Sequence, residues 1–497
     1  MTEELRRVSA AFRATLPPEL HVSSFRVDTL DRTGIPMVQA NIFIPGEPCT
    51  SGHGYGFTED EAEVGAWGEL CEELHVHTWL QRTPELTASH DELVHSHGAR
   101  GVVDPLTLCL SAGAGYAASV PLSWVPARRH GSGETVLVPR EWVAAYRYQM
   151  GGRSPRLITP ITNGLGAGFD IAHAVSHGIM ELLQRDGNVL NYRALDQGVV
   201  VDIDTDEAGD VTGLLAHLRA LGIAVTVKLA CTDFGISNLY VVGDDRGEPL
   251  VPIQVTACGE AAHPDRSRAL RKALLEFCGS RARKAATHGP LPLLRDRLPA
   301  DYYDNEMRVA LLAEEGRAVS AMAEWLGQPT ATLRARLAPN VFAEHSRVKL
   351  SSLPTTDPAA TANSVDRLAM LAERLAAQGL DILYVDCSPL DGAIAAVKVI
   401  VPGLESETMS YHRIGWRGVR RLRDRRDALI HDRPVAGAQR VMLRPEDEDR
   451  AGGPAWFDCA AADAKVDRLY PLYRESSAFA AQLLSERTGE AASPARL

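Results

Sequence analysis

The sequence predicts a mixed α/β (α+β) chain, and three observations carry that expectation. Stretches with helical periodicity alternate with short β-branched runs from end to end, so helices and strands are interleaved rather than segregated. No segment recurs at a fixed period, which argues against a solenoid or a propeller. With 497 residues, 45% of them hydrophobic, the chain can bury a large core. Its length suits two to four domains of about 100–200 residues, or one elaborated catalytic domain.

In chain order, SSFRVDTLDRTGIPMVQANIFIPG (23–46) reads as strands around a Thr-Gly turn. SGHGYGFTEDEAEVGAWGELCEELHVHTWL then reads as a glycine loop feeding a helix. Thr58, followed three residues later by Glu61, is a capping box that starts this helix near Glu59. VPLSWVPARRHGSGETVLVP is a strand, a turn at Gly131 to Gly133 and a second strand. TNGLGAGFDIAHAVSHGIMELLQRDGN repeats the pattern of glycine turn and helix. LLAHLRALGIAVTVKLACTDFGISNLYVVGDD is a helix stopped at Gly222 and two strands. A third long helix follows Pro264 in HPDRSRALRKALLEFCGSRARKAA. VDRLAMLAERLAAQGLDILYVDCSPLDGAIAAVKVIVPGLE is again a helix, a glycine stop at Gly379 and two strands. After about Leu422 the chain is charged and Pro/Gly-punctuated, and GEAASPARL is expected to be a loose tail.

The balance of 52 basic against 64 acidic residues gives a formal charge of −12, which disfavours nucleic acid as the main partner. Eight cysteines are scattered without a C-x-x-C pair, so neither a zinc ribbon nor a dithiol redox site is indicated and reduced, buried thiols are expected. The N-terminal MTEELRRVSAAFRATLPPEL lacks the apolar core of a signal peptide. No window approaches about 18 uninterrupted apolar residues, so a soluble, cytoplasmic protein with no membrane partner is expected.

Polar residues on the three long helices suggest chemistry. Glu69 precedes Glu72 by three and Glu73 by four, so at least two carboxylates share a helix face and repel unless a cation sits there. His173, His177, Glu181 and Arg185 follow at spacings of four, with Ile171, Val175, Ile179, Leu182 and Leu183 on the apolar side. On the third helix Glu276 precedes Ser280 and Arg281. Any one such pair is ordinarily a solvated helix pair worth about 0.2–0.5 kcal/mol. Together they supply what a nucleoside triphosphate requires: carboxylates for Mg2+, cations and backbone N–H groups for phosphate oxygens, and a backbone that permits close approach. No G-x-x-x-x-G-K-[ST] is present, and the D-F-G at Asp233 lacks the rest of a kinase set, so a nucleotide site here is of another kind.

ITNGLGAGFDIAHAVSHGIMELLQRD resembles the signature of the YcaO family, which runs S-N-G-L-A-A-G, a short spacer, E-A, then L-H-G-L-L-E-L-I-E-R-D. GYGFTEDEAEVGAWGELCEE resembles its G-K-G-x-T-x-x-x-A followed by A-L-G-E-A-x-E. PLSWVPARRHGSGETVLVP is similar to its P-L-x-W strand pair, HPDRSRALRKALLEFCGSR to its third helix ending E-x-x-Q-S-R, and VKVIVPGLE to its late strand. The matches keep the family's order from about Val27 to Gly418.

The resemblance implies a YcaO-type fold, with mixed sheets packed by helices and a nucleotide cleft between helices. It assigns 1–421 to the catalytic domain with its N-terminal strands, and 422–497 to an extension and tail. It implies an enzyme that uses ATP and Mg2+ to phosphorylate a backbone amide oxygen of a ribosomally made precursor peptide in natural-product biosynthesis. With a side-chain, amine or sulfide nucleophile the products are an azoline, an amidine or a thioamide. A separate leader-binding or accessory protein, or direct recognition of the peptide, is also implied. A homodimer is the commonest arrangement for a soluble oligomer.

Carried over by position, Glu69 and Glu72 match the first carboxylate pair and Thr58 the hydroxyl after the glycines. Glu181 and Arg185 match the second-helix metal and phosphate residues, read here as catalytic. Glu276 and Arg281 match those of the third helix. The expected metal ligands are Glu69, Glu72, Glu181 and Glu276. Four positions depart from the pattern: Tyr55 replaces a lysine, His173 a glutamate, Gln184 a glutamate and Gly279 a glutamine. The site then holds Mg-ATP with fewer anionic ligands, or shifts roles onto His173 and Gln184, or has become a non-catalytic scaffold for a peptide or partner subunit. SPARL in place of the proline-rich tail of azoline-forming members shifts the expectation away from ring formation.

Overall fold

The computed structural model describes residues 2–44, 47–150, 156–191, 193–203, 209–247, 249–312, 315–390, 392–405 and 411–492. Strands and helices alternate as expected, and the described strands form four sheets. β1 (His21–Arg26), β2 (Met37–Phe43) and β3 (Thr50–Tyr55) make an antiparallel sheet in that order. β4 (Leu86–Ser89), β5 (Pro121–Arg129), β6 (Thr135–Pro139) and β7 (Leu165–Gly168) belong to a second. β8 (Val199–Asp202), β9 (Ile223–Cys231), β10 (Ser237–Asp245), β11 (Cys258–His263) and β12 (Ser346–Lys349) form a third, ordered β11-β10-β9-β8-β12. β13 (Leu383–Asp386) and β14 (Ala395–Ile400) return to the second sheet, ordered β4-β5-β13-β14-β7 with β6 on β5. The fourth sheet is small: β15 (Ile430–His431), β16 (Ala438–Arg440) and β17 (Trp456–Asp458). Among the described pairs only β8 with β12 runs parallel.

After α1 (Thr2–Ala14), three long helices each follow a strand: α2 (Glu59–Arg82) after β3, α3 (Ile171–Asn188) after β7 and α4 (Arg266–His288) after β11. Each begins at a side-chain cap. The Thr58 hydroxyl accepts from the Glu61 N–H, Asp170 from His173 N–H, and Asp265 from the N–H groups of Ser267 and Arg268. The reciprocal half of the expected capping box is displaced by one residue, because Glu61 accepts from the Phe57 N–H at 2.7 Å.

The two glycine-rich stretches are strands rather than the expected loops, and their glycines allow helix and strand backbones to touch. A Cβ at Gly54 would lie 1.9 Å from the Ala62 carbonyl oxygen, and one at Gly166 would lie 2.1 Å from that of Ala174. In the third unit a Cβ at Gly259 would stand 2.1 Å from the Ala273 oxygen. One packing device therefore recurs three times, and it lowers each helix onto its strand.

The outward faces of these units are closed by apolar packing. Phe277 of α4 is fully buried with Leu239 and Val241, while Trp124 of β5 packs with Val125, Val138, Leu383 and Ile400. Each such buried side chain contributes about 1.5–3 kcal/mol. The C-terminal end of α3 is pinned electrostatically. Asp186, 1% exposed, accepts from Arg417 and Arg421 of α5 (Trp416–Asp424). Beyond the small sheet the chain passes Tyr473, Glu475 and buried Phe479 into α6 (Ala480–Ala492). Of the GEAASPARL tail expected to be loose, residues 489–492 close α6 as helix, and SPARL lies outside the described residues. All eight cysteines are free, and among the described residues no helix is long and apolar enough to cross a membrane.

Candidate functional site

One face of each long helix lines a single cavity of about 1260 Å3. From α2 come Gly65, Gly68, Glu69, Glu72 and Glu73; from α3, His173, His177, Glu181, Gln184 and Arg185. From α4 come Lys272, Glu276, Gly279, Ser280, Arg283, Lys284 and Thr287. These are spacings of three, four and seven, so each set is one helical stripe. The structure thus brings together Glu69, Glu72, Glu181, Arg185 and Glu276.

Strand backbone and neighbouring side chains orient the carboxylates. Glu69 Oε2 accepts from the His53 N–H of β3 at 2.6 Å, and Glu72 Oε1 from the Ala167 N–H of β7 at 2.9 Å. Glu181 Oε2 accepts from the Gly164 N–H at 2.9 Å, and Glu276 Oε2 from the Tyr55 hydroxyl at 3.0 Å. The N–H groups of the glycine-rich segment, expected at phosphate oxygens, therefore hold carboxylates instead. Arg185 donates to Glu260 at 2.7 Å and stands 3.6 Å from Glu181.

This concentration of acid is costly in the absence of a cation. Burial pushes the Glu69 carboxyl up to about 7, with Glu181 and Glu276 adding to the rise against the His53 N–H and Arg283. Burial, Glu181 and Glu69 raise Glu72 well above the carboxylate range, and burial with Glu69 raises Glu73 to about 8. Glu276 is raised by burial, partly countered by Lys272. Glu73 Oε2 is buried without a partner. For Arg185, burial disfavours the charge, but Glu260, Glu181 and Glu276 outweigh it and hold the pKa above the ordinary value. His177 is lowered to about 3 by burial and by Lys272, so it lines the wall as a neutral ring.

Two expected site residues lie elsewhere. Arg281 is 1% exposed and points away from the cavity to Asp31 and Asp245 at 3.0 and 2.9 Å, because five residues from Glu276 places it off the α4 stripe. Thr58 is the helix cap described above and does not line the cavity. The α4 cations that do share the Glu276 stripe are Lys272, Arg283 and Lys284. Glu260 was also missed, a single acid in the short strand CGEAAH that sits 4% exposed beside α3.

Two of the four departures from the family pattern, Tyr55 and Gly279, meet each other, and the other two each contact a different residue. A Cβ at Gly279 would stand 3.2 Å from the Tyr55 ring, so the tyrosine covers the space over residue 279. Gln184 donates to Glu260 at 3.4 Å, which places a carboxylate beside the amide. The His173 ring packs over Gly168, where a Cβ would come within 2.6 Å of it.

Among the described residues no three His, Cys, Asp or Glu side chains are placed to hold one ion. The separate carboxylates on the cavity wall, Glu69, Glu72, Glu181 and Glu276, fit Mg2+, which keeps several waters and is ordinarily held by one or two carboxylates plus substrate phosphates. The raised carboxylates and the unpartnered Glu73 oxygen are the groups such a cation would relieve.

Comparison with known proteins agrees with this geometry. Residues 53–405 match the family model described as YcaO cyclodehydratase, ATP- and Mg2+-binding. An uncharacterized protein from Methanothermobacter thermautotrophicus is 27% identical over 394 residues, spanning 78% of this chain and 90% of its own. In fold, the chain is similar to YcaO from Methanopyrus kandleri bound with AMPPCP and Mg2+, with a TM-score of 0.56 at 20% identity over 84% of this chain and 94% of that one. A heterocyclase in complex with substrate and cofactor aligns at a TM-score of 0.58 and 17% identity over 80% of this chain. The match spans 52%, about half, of the heterocyclase's own length. A family match over residues 53–405, most of the chain, means that this protein belongs to the ATP- and Mg2+-binding YcaO family.

Proposed function

We propose that the protein uses Mg-ATP to activate a backbone amide of a ribosomally synthesised peptide, giving an azoline, amidine or thioamide. One observation carries the reading. Glu69, Glu72, Glu181, Glu276 and Arg185, from three separate helices, line one cavity, and burial raises three of the four carboxylates in a way that a cation would reverse. When bound, Mg-ATP supplies a phosphoryl group that converts the amide oxygen from a poor leaving group into phosphate. Amide resonance makes such help necessary, and phosphoryl transfer asks the protein mainly for positioning and charge neutralisation. In this reading Glu69, Glu72, Glu181 and Glu276 are the carboxylates offered to Mg2+, one or two of them bound to an ion directly, and Arg185 faces the phosphates. The basic wall of Arg283 and Lys284 balances the acidic one. The cavity of about 1260 Å3 exceeds the roughly 300–1,000 Å3 of common ligand pockets, which leaves room for nucleotide and peptide together.

The test incubates the purified protein with a candidate precursor peptide and Mg-ATP, and follows phosphate release and peptide mass. Loss of one water indicates cyclodehydration or amidine closure, and exchange of oxygen for sulfur indicates thioamidation. Glu181→Gln should abolish nucleotide-dependent turnover with the fold intact. Arg185→Ala should cost about 2–4 kcal/mol of transition-state stabilisation. Unchanged turnover in Glu181→Gln would remove its metal role.

A second reading, a non-catalytic scaffold for a peptide or partner subunit, draws on Arg185 lying between two carboxylates and on the Tyr55 ring over Gly279. Peptide binding without phosphate release would favour it.

A further inference from the structure

Within the nucleotide reading, on which this inference rests, one carboxylate stands out by its connections. Glu260 projects from β11, is 4% exposed and lines the cavity. Its Oε2 accepts from Arg185 Nη1 at 2.7 Å, Asn188 Nδ2 at 2.9 Å and Gln184 Nε2 at 3.4 Å. Three donors from one turn of α3 converge on a single oxygen supplied by a different element.

The consequence concerns Glu181. Arg185 lies between Glu260 at 2.7 Å and Glu181 at 3.6 Å, so its shorter, charge-assisted contact is with Glu260. Without Glu260, the only carboxylate among the described residues within ion-pair distance of the guanidinium would be Glu181. Arg185 would then close onto Glu181 and neutralise it, drawing it from the position where it accepts from the Gly164 N–H. A Glu181 neutralised by arginine is a poor ligand for a cation. Gln184 touches Glu260 through its amide, so acid and amide occupy adjoining places in one small network.

We infer that Glu260 is the positioning residue of the cation site: it holds Arg185 away from Glu181, and it supplies from β11 the carboxylate that α3 lacks at Gln184. The role is exerted through Arg185 and Glu181.

The test exchanges the two contacting side chains. Binding of a non-hydrolysable ATP analogue is titrated as a function of Mg2+ concentration in wild type, Glu260→Gln, and the double variant Glu260→Gln/Gln184→Glu. In Glu260→Gln the Mg2+ requirement should rise about 10- to 100-fold, the usual effect of removing a carboxylate that orients a metal ligand. The double variant keeps the net charge and returns a carboxylate to the network, so its Mg2+ requirement should lie within about threefold of wild type, less than the tenfold of one pKa-scale unit. A loss of packing alone would lower the melting temperature of both variants without this recovery. An unchanged Mg2+ requirement in Glu260→Gln, or a double variant as impaired as the single, overturns the inference while leaving the nucleotide reading in place. Should Glu260→Gln fail to fold, the double variant decides: recovery supports the role, and a requirement raised tenfold or more refutes it. A wild-type protein that binds no Mg-nucleotide overturns both.

Discussion

At the scale of single residues, the burial of Glu69 makes the stability of the nucleotide-free protein depend on pH, and this has a measurable sign. Glu69 is raised to about 7, with burial as the largest cause. A carboxyl raised above its unfolded value of about 4.3 adds stability that is complete below that value and is lost as pH rises through the folded pKa. Glu69→Gln cannot ionise, and its amide oxygen can still accept from the His53 N–H. The variant should therefore melt above wild type once the pH passes about 7, and the difference should close towards pH 5. With Mg2+ and a nucleotide analogue the order should invert, because only wild type gains from the ligand. Melting curves at pH 5 and 8, with and without ligand, check both halves. A variant less stable than wild type at every pH would mark Glu69 as an ordinary structural acid.

At the scale of elements, the close contact of α2 with β3 depends on Gly54, whose Cβ would stand 1.9 Å from the Ala62 oxygen. Gly54→Ala should cost about 3 kcal/mol or more, the upper range for overpacking. Gly115→Ala, whose Cβ would meet nothing beyond its chain neighbours within 4 Å, should be close to neutral in the same denaturant titration. A second element-scale prediction joins β3 to α4. Gly279→Gln alone should destabilise by about 1–3 kcal/mol, because its Cβ would meet the Tyr55 ring at 3.2 Å. Combined with Tyr55→Lys, which removes the ring, most of that loss should be recovered, and additive losses would show that the two positions are independent. Much of this level was legible in the sequence. The caps at Thr58 and near Pro264, the hairpin around Gly131 and Gly133 and the stops at Gly222 and Gly379 follow from local chemistry that acts over a few residues. Taken alone, the glycine-rich strands predict loops, because glycine favours turns when no partner is considered. Here the partner is a helix backbone, and only tertiary contact reveals it. Family spacing points to Arg281, but helical geometry turns it to Asp31 and Asp245, whereas Arg283, seven residues after Glu276, faces the cavity. Glu260 lies 75 residues from Arg185 in sequence, and no local pattern links a strand acid to a helix so distant.

For the whole molecule, the cavity is completed by a segment well outside the matched family region. Glu475, between the small fourth sheet and α6, accepts from His288 Nε2 at 3.0 Å and lies 3.5 Å from Lys284 and 3.9 Å from Arg283. Burial works against its charge, yet Lys284, His288 and Arg283 hold its carboxyl well below the ordinary range. The catalytic unit assigned from the sequence to 1–421 is thus walled in part by the extension assigned to 422–497, and Glu475 is one tie between them. A depressed carboxyl adds stability that is present above its unfolded pKa, about 4.3, and is lost as pH falls through the folded value. Glu475→Gln should therefore lower the melting temperature at pH 7 and make the segment before α6 more susceptible to limited proteolysis. The difference from wild type should shrink as the pH is taken below about 4. The same substitution leaves Arg283 and Lys284 on the cavity wall without their shared counter-charge, so nucleotide-analogue affinity should change together with proteolytic sensitivity. An affinity that stays fixed while the segment loosens would separate the two, and the extension would then be a support for the fold with no bearing on what the cavity holds.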